Sequence, residues 1–136
     1  MDVIREVLKT TRTWAVVGLS ADPARDSYRI ASLMRDRGYR IVPVNPHLAS
    51  WCGEPAYADL ASIPFPVEVV DLFRRSSEVP PHVDEAIAIG AKVVWMQLGV
   101  RHAEAAAKGR AAGLTVVEDR CPAIEFRRLA AEDQKR

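Results

Sequence analysis

The sequence predicts an α/β fold of three layers: a five-stranded parallel sheet with helices on both faces. Three observations carry that expectation. Five short apolar runs, 14–19, 39–44, 67–73, 92–98 and 114–118, are nearly continuous rather than alternating, as strands buried on both faces must be. Segments with apolar residues at helical spacing separate most of them, and a strand–helix–strand order calls for right-handed crossovers that place helices on the sheet's faces. No internal repeat or linker interrupts the 136 residues, so one domain, 1–136, is expected.

The elements follow in order. In 1–10, Asp2 reads as a helix cap, and Val3, Ile4, Val7 and Leu8 share one face with charges between them. That amphipathic pattern lacks the continuous apolar core of a signal peptide. After the first strand, Ile30, Leu33 and Met34 mark a helix over 27–37, with Asp26 or Ser27 as cap and Gly38 as stop. The second strand ends at Asn45-Pro46, and 55–66 reads as an irregular connection with one helical turn near 58–61. The third is apolar except for Glu68 and Asp71, and Asp71 reads as a buried, hydrogen-bonded carboxylate. Pro80-Pro81 opens a helix that Gly90 ends, an alanine-rich helix over 102–112 is closed by Gly113, and a last helix starts near Pro122.

Composition removes several classes of function. A net charge of +1 gives no bulk reason to expect nucleic acid or an anionic membrane as partner, so any anion site must be local. No stretch approaches the roughly 20 apolar residues of a membrane span. The two cysteines, Cys52 and Cys121, are too few for a disulfide framework or a four-ligand zinc site, and a reducing cytoplasm is the simplest setting. The histidines His47, His82 and His102 are scattered and read as surface or helix-end residues, so no metal site is expected.

In an open parallel sheet the ligand lies outside the carboxyl ends of the strands. The segments that should meet there are 18–28, 43–46, 73–76 and 97–100. The first has what an anion needs: Gly18 for close backbone approach, hydroxyls at Ser20 and Ser27, the charge of Arg25 and a helix N-terminus. A phosphate is the natural guest; the alternative is that Gly18 serves only a tight turn and Ser27 only a cap. The dinucleotide fingerprint is absent, since Ser20 and Pro23 stand at its second and third glycine positions, and Asn45-Pro46 replaces the acidic residue that would hold a ribose. Arg74 reads either as a solvated charge or as a phosphate contact.

Six segments, in order, carry a resemblance over nearly the whole chain: 15–20 (AVVGLS), 38–46 (GYRIVPVNP), 53–57 (GEPAY), 70–74 (VDLFR), 95–99 (WMQLG) and 119–121 (DRC). Together they resemble the stand-alone coenzyme A-binding proteins, whose Rossmann-like fold is similar to the nucleotide-binding domain of the succinyl-CoA synthetase α-subunit. The resemblance implies that Gly18, Leu19 and Ser20, with Ser27 and Tyr28, hold a pyrophosphate. It implies that Asn45-Pro46 and Phe73-Arg74 flank the adenosine, that Gln97 and Gly99 border the pantetheine path, and that Arg25 suits a ligand with a further 3′-phosphate. The synthetase's phosphohistidine chemistry belongs to a second domain, so a full ligase is not expected of this chain.

No catalyst presents itself: no nucleophile with its base, no metal cluster, no paired carboxylates at strand ends. Cys121 precedes Pro122 at a helix start and follows Arg120, a setting that favours thiolate, and a mixed disulfide with coenzyme A follows if the pantetheine arm reaches it. Trp14 and Trp95 read as core, while Trp51 is open to an adenine or a protein interface. The expectation is therefore a non-catalytic carrier, sensor or regulatory module that binds coenzyme A or an acyl-CoA. The alternatives are a small NAD(P)-binding oxidoreductase or redox sensor, and an acyl-CoA-handling subunit completed by a partner chain. An exposed helix face leaves room for a homodimer or another protein partner.

Overall fold

A computed structural model describes residues 2–135. Its elements are α1 (Val3–Thr10), β1 (Thr13–Val17), α2 (Asp26–Asp36), β2 (Arg40–Val44), β3 (Ser50–Trp51), β4 (Glu54–Pro55), β5 (Val69–Leu72), α3 (Val79–Ala88), β6 (Val93–Met96), α4 (Ala103–Ala111), β7 (Thr115–Val117) and α5 (Pro122–Gln134). Short 3-10 turns at Leu60–Ser62 and Ser76–Glu78 complete the path. Five strands pair in parallel in the order β2-β1-β5-β6-β7. The expected three-layer, Rossmann-like α/β architecture is therefore present.

Strand periodicity sorts the core into two layers. Trp14, Val16, Val69, Val93, Trp95 and Val117 point to one face, where Val7 and Leu8 of α1, Ala31 and Met34 of α2 and Leu129 of α5 cover them. Ala15, Val17, Val70, Leu72, Val94, Met96 and Val116 point to the other, under Val79, Val83 and Ala86 of α3 and Ala105 and Ala106 of α4. Both faces being apolar is why the strands read as continuous runs. The two innermost indoles are satisfied: Trp14 Nε1 donates to Thr11 Oγ1 at 2.9 Å and Trp95 Nε1 to the Arg120 carbonyl at 2.9 Å. Pro43 is tolerated because β2 is an edge strand.

The helix starts differ in detail from the sequence reading. Asp2 caps α1 as expected, its Oδ1 accepting from the Arg5 N–H at 3.1 Å, and its other oxygen accepts from Arg128 of α5 at 2.9 Å. Neither Asp26 nor Ser27 caps α2; Arg25 holds that position, with no side chain closing the helix end. Ser27 Oγ instead accepts from the Ser20 N–H at 3.0 Å, tying the loop after β1 to its helix. The hairpin of β3 and β4 was not anticipated. Two-residue strands carry no periodicity, and their turn, Cys52-Gly53 with φ of 49° and 81°, lacks the usual Asn-Gly or Asp-Gly signal.

Strand order reverses at β1. The chain moves one way to β2 by α2 on one face, then returns past β1 to β5, β6 and β7, with α3 and α4 on the other face. At the end of β1 the Gly18 N–H bonds the Val44 carbonyl at 2.9 Å, while the Phe73 N–H bonds the Val17 carbonyl at 3.0 Å. Gly18 has φ of +89°, and a Cβ there would lie 2.4 Å from the Phe73 carbonyl oxygen. Only glycine fits. Gly38 has φ of +98° but open space around it. Gly18→Ala is therefore expected to cost about 3 kcal/mol or more and Gly38→Ala about 1 kcal/mol, read by urea unfolding. Equal losses would mean that the approach of Phe73 is not what demands glycine at residue 18.

Candidate functional site

The loop after β1 is built from its own polar groups. Ser20 Oγ accepts from the Asp22 N–H at 3.0 Å and Asp22 Oδ1 from the Ala24 N–H at 2.9 Å. From the end of β2, Asn45 Nδ2 donates to the Leu19 carbonyl at 3.0 Å and its Oδ1 accepts from the His47 N–H at 2.9 Å. These bonds fix the uncapped first turn of α2, with its unmet N–H groups, beside the strand ends. Across the sheet, Asp119 draws the loops after β6 and β7 together. It accepts from the Gly99 N–H at 2.6 Å and from Arg101, and these two contacts, the Gly99 bond foremost, hold its carboxyl below the usual range.

Between the first turns of α2 and α5, outside the ends of β5 and β6, lies a cleft of about 910 Å³. That volume falls within the range of small-molecule sites. Ile30, Phe73, Leu98, Val100, Ala123 and Ile124 give it apolar walls. Four arginines, Arg29, Arg74, Arg75 and Arg127, face two acids, Asp26 and Glu78, in a chain whose whole net charge is +1. Arg29 is engaged with Asp26 and with the Ala24 carbonyl. Among the described residues no carboxylate pairs with Arg74, Arg75 or Arg127.

Arg74 carries the plainest signal. Its Nε is buried and has no hydrogen-bond partner. An unmet buried donor costs about 1–3 kcal/mol, more when charged, and an anion in the cleft offers the guanidinium the partner it lacks. At the floor, Gln97, 5% exposed, donates from Nε2 to Asp71 Oδ1 at 2.5 Å. Asp71 shares the strand face of Val69, beneath α2 and α5. Burial pushes its carboxyl up to about 7 against the opposing pull of the Gln97 bond.

The cleft thus gathers Phe73, Arg74, Gln97 and Cys121 of the residues singled out in the sequence. Gly18, Leu19, Ser20, Arg25, Ser27, Tyr28, Asn45, Pro46 and Gly99 lie outside its lining, in the loops and the first turn of α2 that shape it or flank it. Leu19 is fully buried, and Tyr28 packs edge-on against Trp51 at 5.8 Å. Trp51 itself is 4% exposed and belongs to the core, not to an open stacking surface. Arg29, Ile30, Ala123, Ile124 and Arg127 were missed. They stand within the first two turns of helices that follow strand ends, and reading those turns as part of the strand-end list would have found them. His102 caps α4, its Nδ1 accepting from the Ala105 N–H at 3.1 Å, and no histidine lines the cleft.

A doubly wound parallel sheet with a cationic, apolar-walled cleft near its switch point has its opening where sheets of this class hold nucleotide-type ligands. The family model described as CoA binding domain matches residues 12–127, and the chain belongs to that family. It is 38% identical over 118 residues to YneT of Bacillus subtilis (strain 168), covering 87% of each chain. A solved structure of a hypothetical protein from Pyrococcus horikoshii OT3 superposes with a TM-score of 0.89 at 38% identity, over 93% of this chain and 89% of that one. The fold also matches part of an acetyl-coenzyme A synthetase from Ca. Korarchaeum cryptofilum, with a TM-score of 0.69 at 19% identity, over 78% of this chain and 25% of that one. No helix among the described residues is long and apolar enough to cross a membrane.

Asp71 has a consequence for stability. The unfolded chain releases this proton near pH 3.8, the ordinary value for an aspartate, whereas the folded chain holds it to about pH 7. Between those values the folded state binds the extra proton, so stability falls as pH rises through that window, by about 1.4 kcal/mol per pH unit. From pH 5 to pH 8 the native protein is expected to lose about 3 kcal/mol more than Asp71→Asn, measured by urea unfolding. Parallel pH profiles for the two would show that Asp71 is ionised in the fold.

Proposed function

We propose that this chain binds coenzyme A or an acyl-CoA in the cleft at the strand ends, as a non-catalytic carrier, sensor or regulatory module. The observation that carries the reading is the unmet, buried Nε of Arg74 beside Arg75 and Arg127, which pair with no carboxylate among the described residues, in a member of the CoA-binding domain family. The ligand's phosphates supply the anion these groups lack, and the open first turn of α2 supplies N–H donors to the same anion. In this reading Gly18–Ser20, Ser27 and Tyr28 support the pyrophosphate, with Arg25 near the further phosphate. Asn45, Pro46, Phe73 and Arg74 flank the adenosine, and Gln97 and Gly99 border the pantetheine arm.

Two features support a binding role over a catalytic one. Cys121 lines the cleft without an imidazole beside it to serve as base. The buried acid Asp71 is committed to Gln97. The nicotinamide alternative gains nothing at the end of β2, where both polar ends of the Asn45 side chain are engaged within the protein. A single domain over 1–136 and a cytoplasmic setting complete the proposal.

Arg74→Met tests it. Calorimetric titration is expected to show coenzyme A binding weakened about 10- to 100-fold, the worth of a charge-assisted bond. The ligand-free variant should be no less stable than the native chain, because it removes an unmet buried donor. A greater loss for coenzyme A than for dephospho-CoA would place Arg74 on the 3′-phosphate, and equal losses on the pyrophosphate. Unchanged affinity for coenzyme A would overturn the reading.

A further inference from the structure

We propose that Cys121 is a redox capture point, at which this protein forms a mixed disulfide with coenzyme A taken from a coenzyme A-containing disulfide. The inference rests on the binding reading above and adds a covalent, reversible state to it. The chain has two free thiols in different settings. Cys52 lies exposed in the β3–β4 turn, in a separate hollow with Arg12 and Arg40 near the amino ends of β1 and β2. Cys121 lines the main cleft at the other end of the sheet, with Arg74 and its unmet buried Nε in the same lining.

The cleft's chemistry is graded in the direction this needs. Three of its four arginines, Arg29, Arg74 and Arg75, come from α2 and the segment after β5, and the fourth, Arg127, stands on α5 more than a turn beyond Cys121. On the side formed by the segment after β6 and by α5 stand Leu98 and Ile124, 62% and 41% exposed, two of the three large apolar side chains left open among the described residues. A ligand with phosphates at one end and an uncharged arm ending in sulfur fits that gradient with its sulfur toward α5. Cys121 occupies the cap position of α5, yet its side chain makes no capping bond, and Pro122 follows with no N–H to offer. The sulfur is uncommitted to the helix.

The exchange balances without a further reactant. The Cys121 thiol gives up its proton and its sulfur attacks the coenzyme A sulfur of CoA–S–S–R. The old S–S bond breaks as the Cys121–S–S–CoA bond forms, and R–S⁻ leaves and takes a proton to become R–SH. The cysteine sulfur is oxidised and the departing sulfur reduced. With coenzyme A disulfide, the departing thiol is coenzyme A itself. Cleft binding raises the local concentration of that disulfide at Cys121 and not at Cys52.

The full-length, reduced protein is incubated with coenzyme A disulfide, or in parallel with oxidised glutathione, and mapped by peptide mass spectrometry. The expected result is a reductant-removable coenzyme A adduct at Cys121, formed at least about 10-fold faster than at Cys52, as a binding-derived local concentration provides. Cys52→Ser should keep that adduct and Cys121→Ser should lose it, while glutathione disulfide should show no such preference for Cys121. Equal rates at the two cysteines, or no adduct at Cys121, would overturn the proposal. A melting-temperature rise with reduced coenzyme A in the presence of reductant reads binding alone. A rise without the adduct therefore defeats this inference only, and neither rise nor adduct defeats the binding reading with it.

Discussion

The close approach of two strand ends at Gly18 is the constraint on which the rest depends. The strand before it bonds to β2 on one side and β5 on the other, and at residue 18 those neighbours must part to opposite sides of the switch point. The Phe73 carbonyl occupies the space a side chain would need. Because Gly18 leaves that space open, Phe73 and Arg74 can leave β5 close to the first turn of α2, and the cleft has its floor and one wall. Ser27 and Asn45 then lock the start of the intervening loop, at Ser20 and Leu19.

Away from the cleft, buried polar groups are for the most part paired, the Trp51 Nε1–H being an exception. The indoles of Trp14 and Trp95, the hydroxyl of Ser27 and the amide of Asn45 all have partners. Around the cleft the pattern changes. Arg74 keeps a buried Nε unmet, Arg75 and Arg127 pair with no carboxylate among the described residues, and Asp71 is held where burial opposes its ionisation. Proteins carry such local costs chiefly where function needs them, so their gathering at one place is itself a sign of the site. A dianionic phosphate would offset several of them at once.

Much of the fold was legible because both faces of the sheet are covered. Runs such as 14–19 and 92–98 are apolar throughout, and Gly38, Gly90 and Gly113 mark the stops between. The ends were less legible: Ser27 has the look of a cap but bonds backward to Ser20, a tertiary choice that helix chemistry alone does not decide. The β3–β4 hairpin is too short to leave a pattern. At the site, strand-end reasoning reached Phe73, Arg74, Gln97 and Cys121, since topology sends every strand end to one edge. It stopped short of Arg29 and Arg127, which arrive from helices, and it could not tell that Asn45 builds the loop from within.

Hydrogen exchange with and without coenzyme A tests the central claim, that the switch-point cleft is the coenzyme A site, most directly, because it reports both whether the ligand binds and where. Slowed exchange is expected in the first turn of α2, at 73–75, at 97–100 and in the first turn of α5, with the hollow around Arg12 and Arg40 unaffected. Protection centred on that hollow, or protection by NADH with none by coenzyme A, would contradict it.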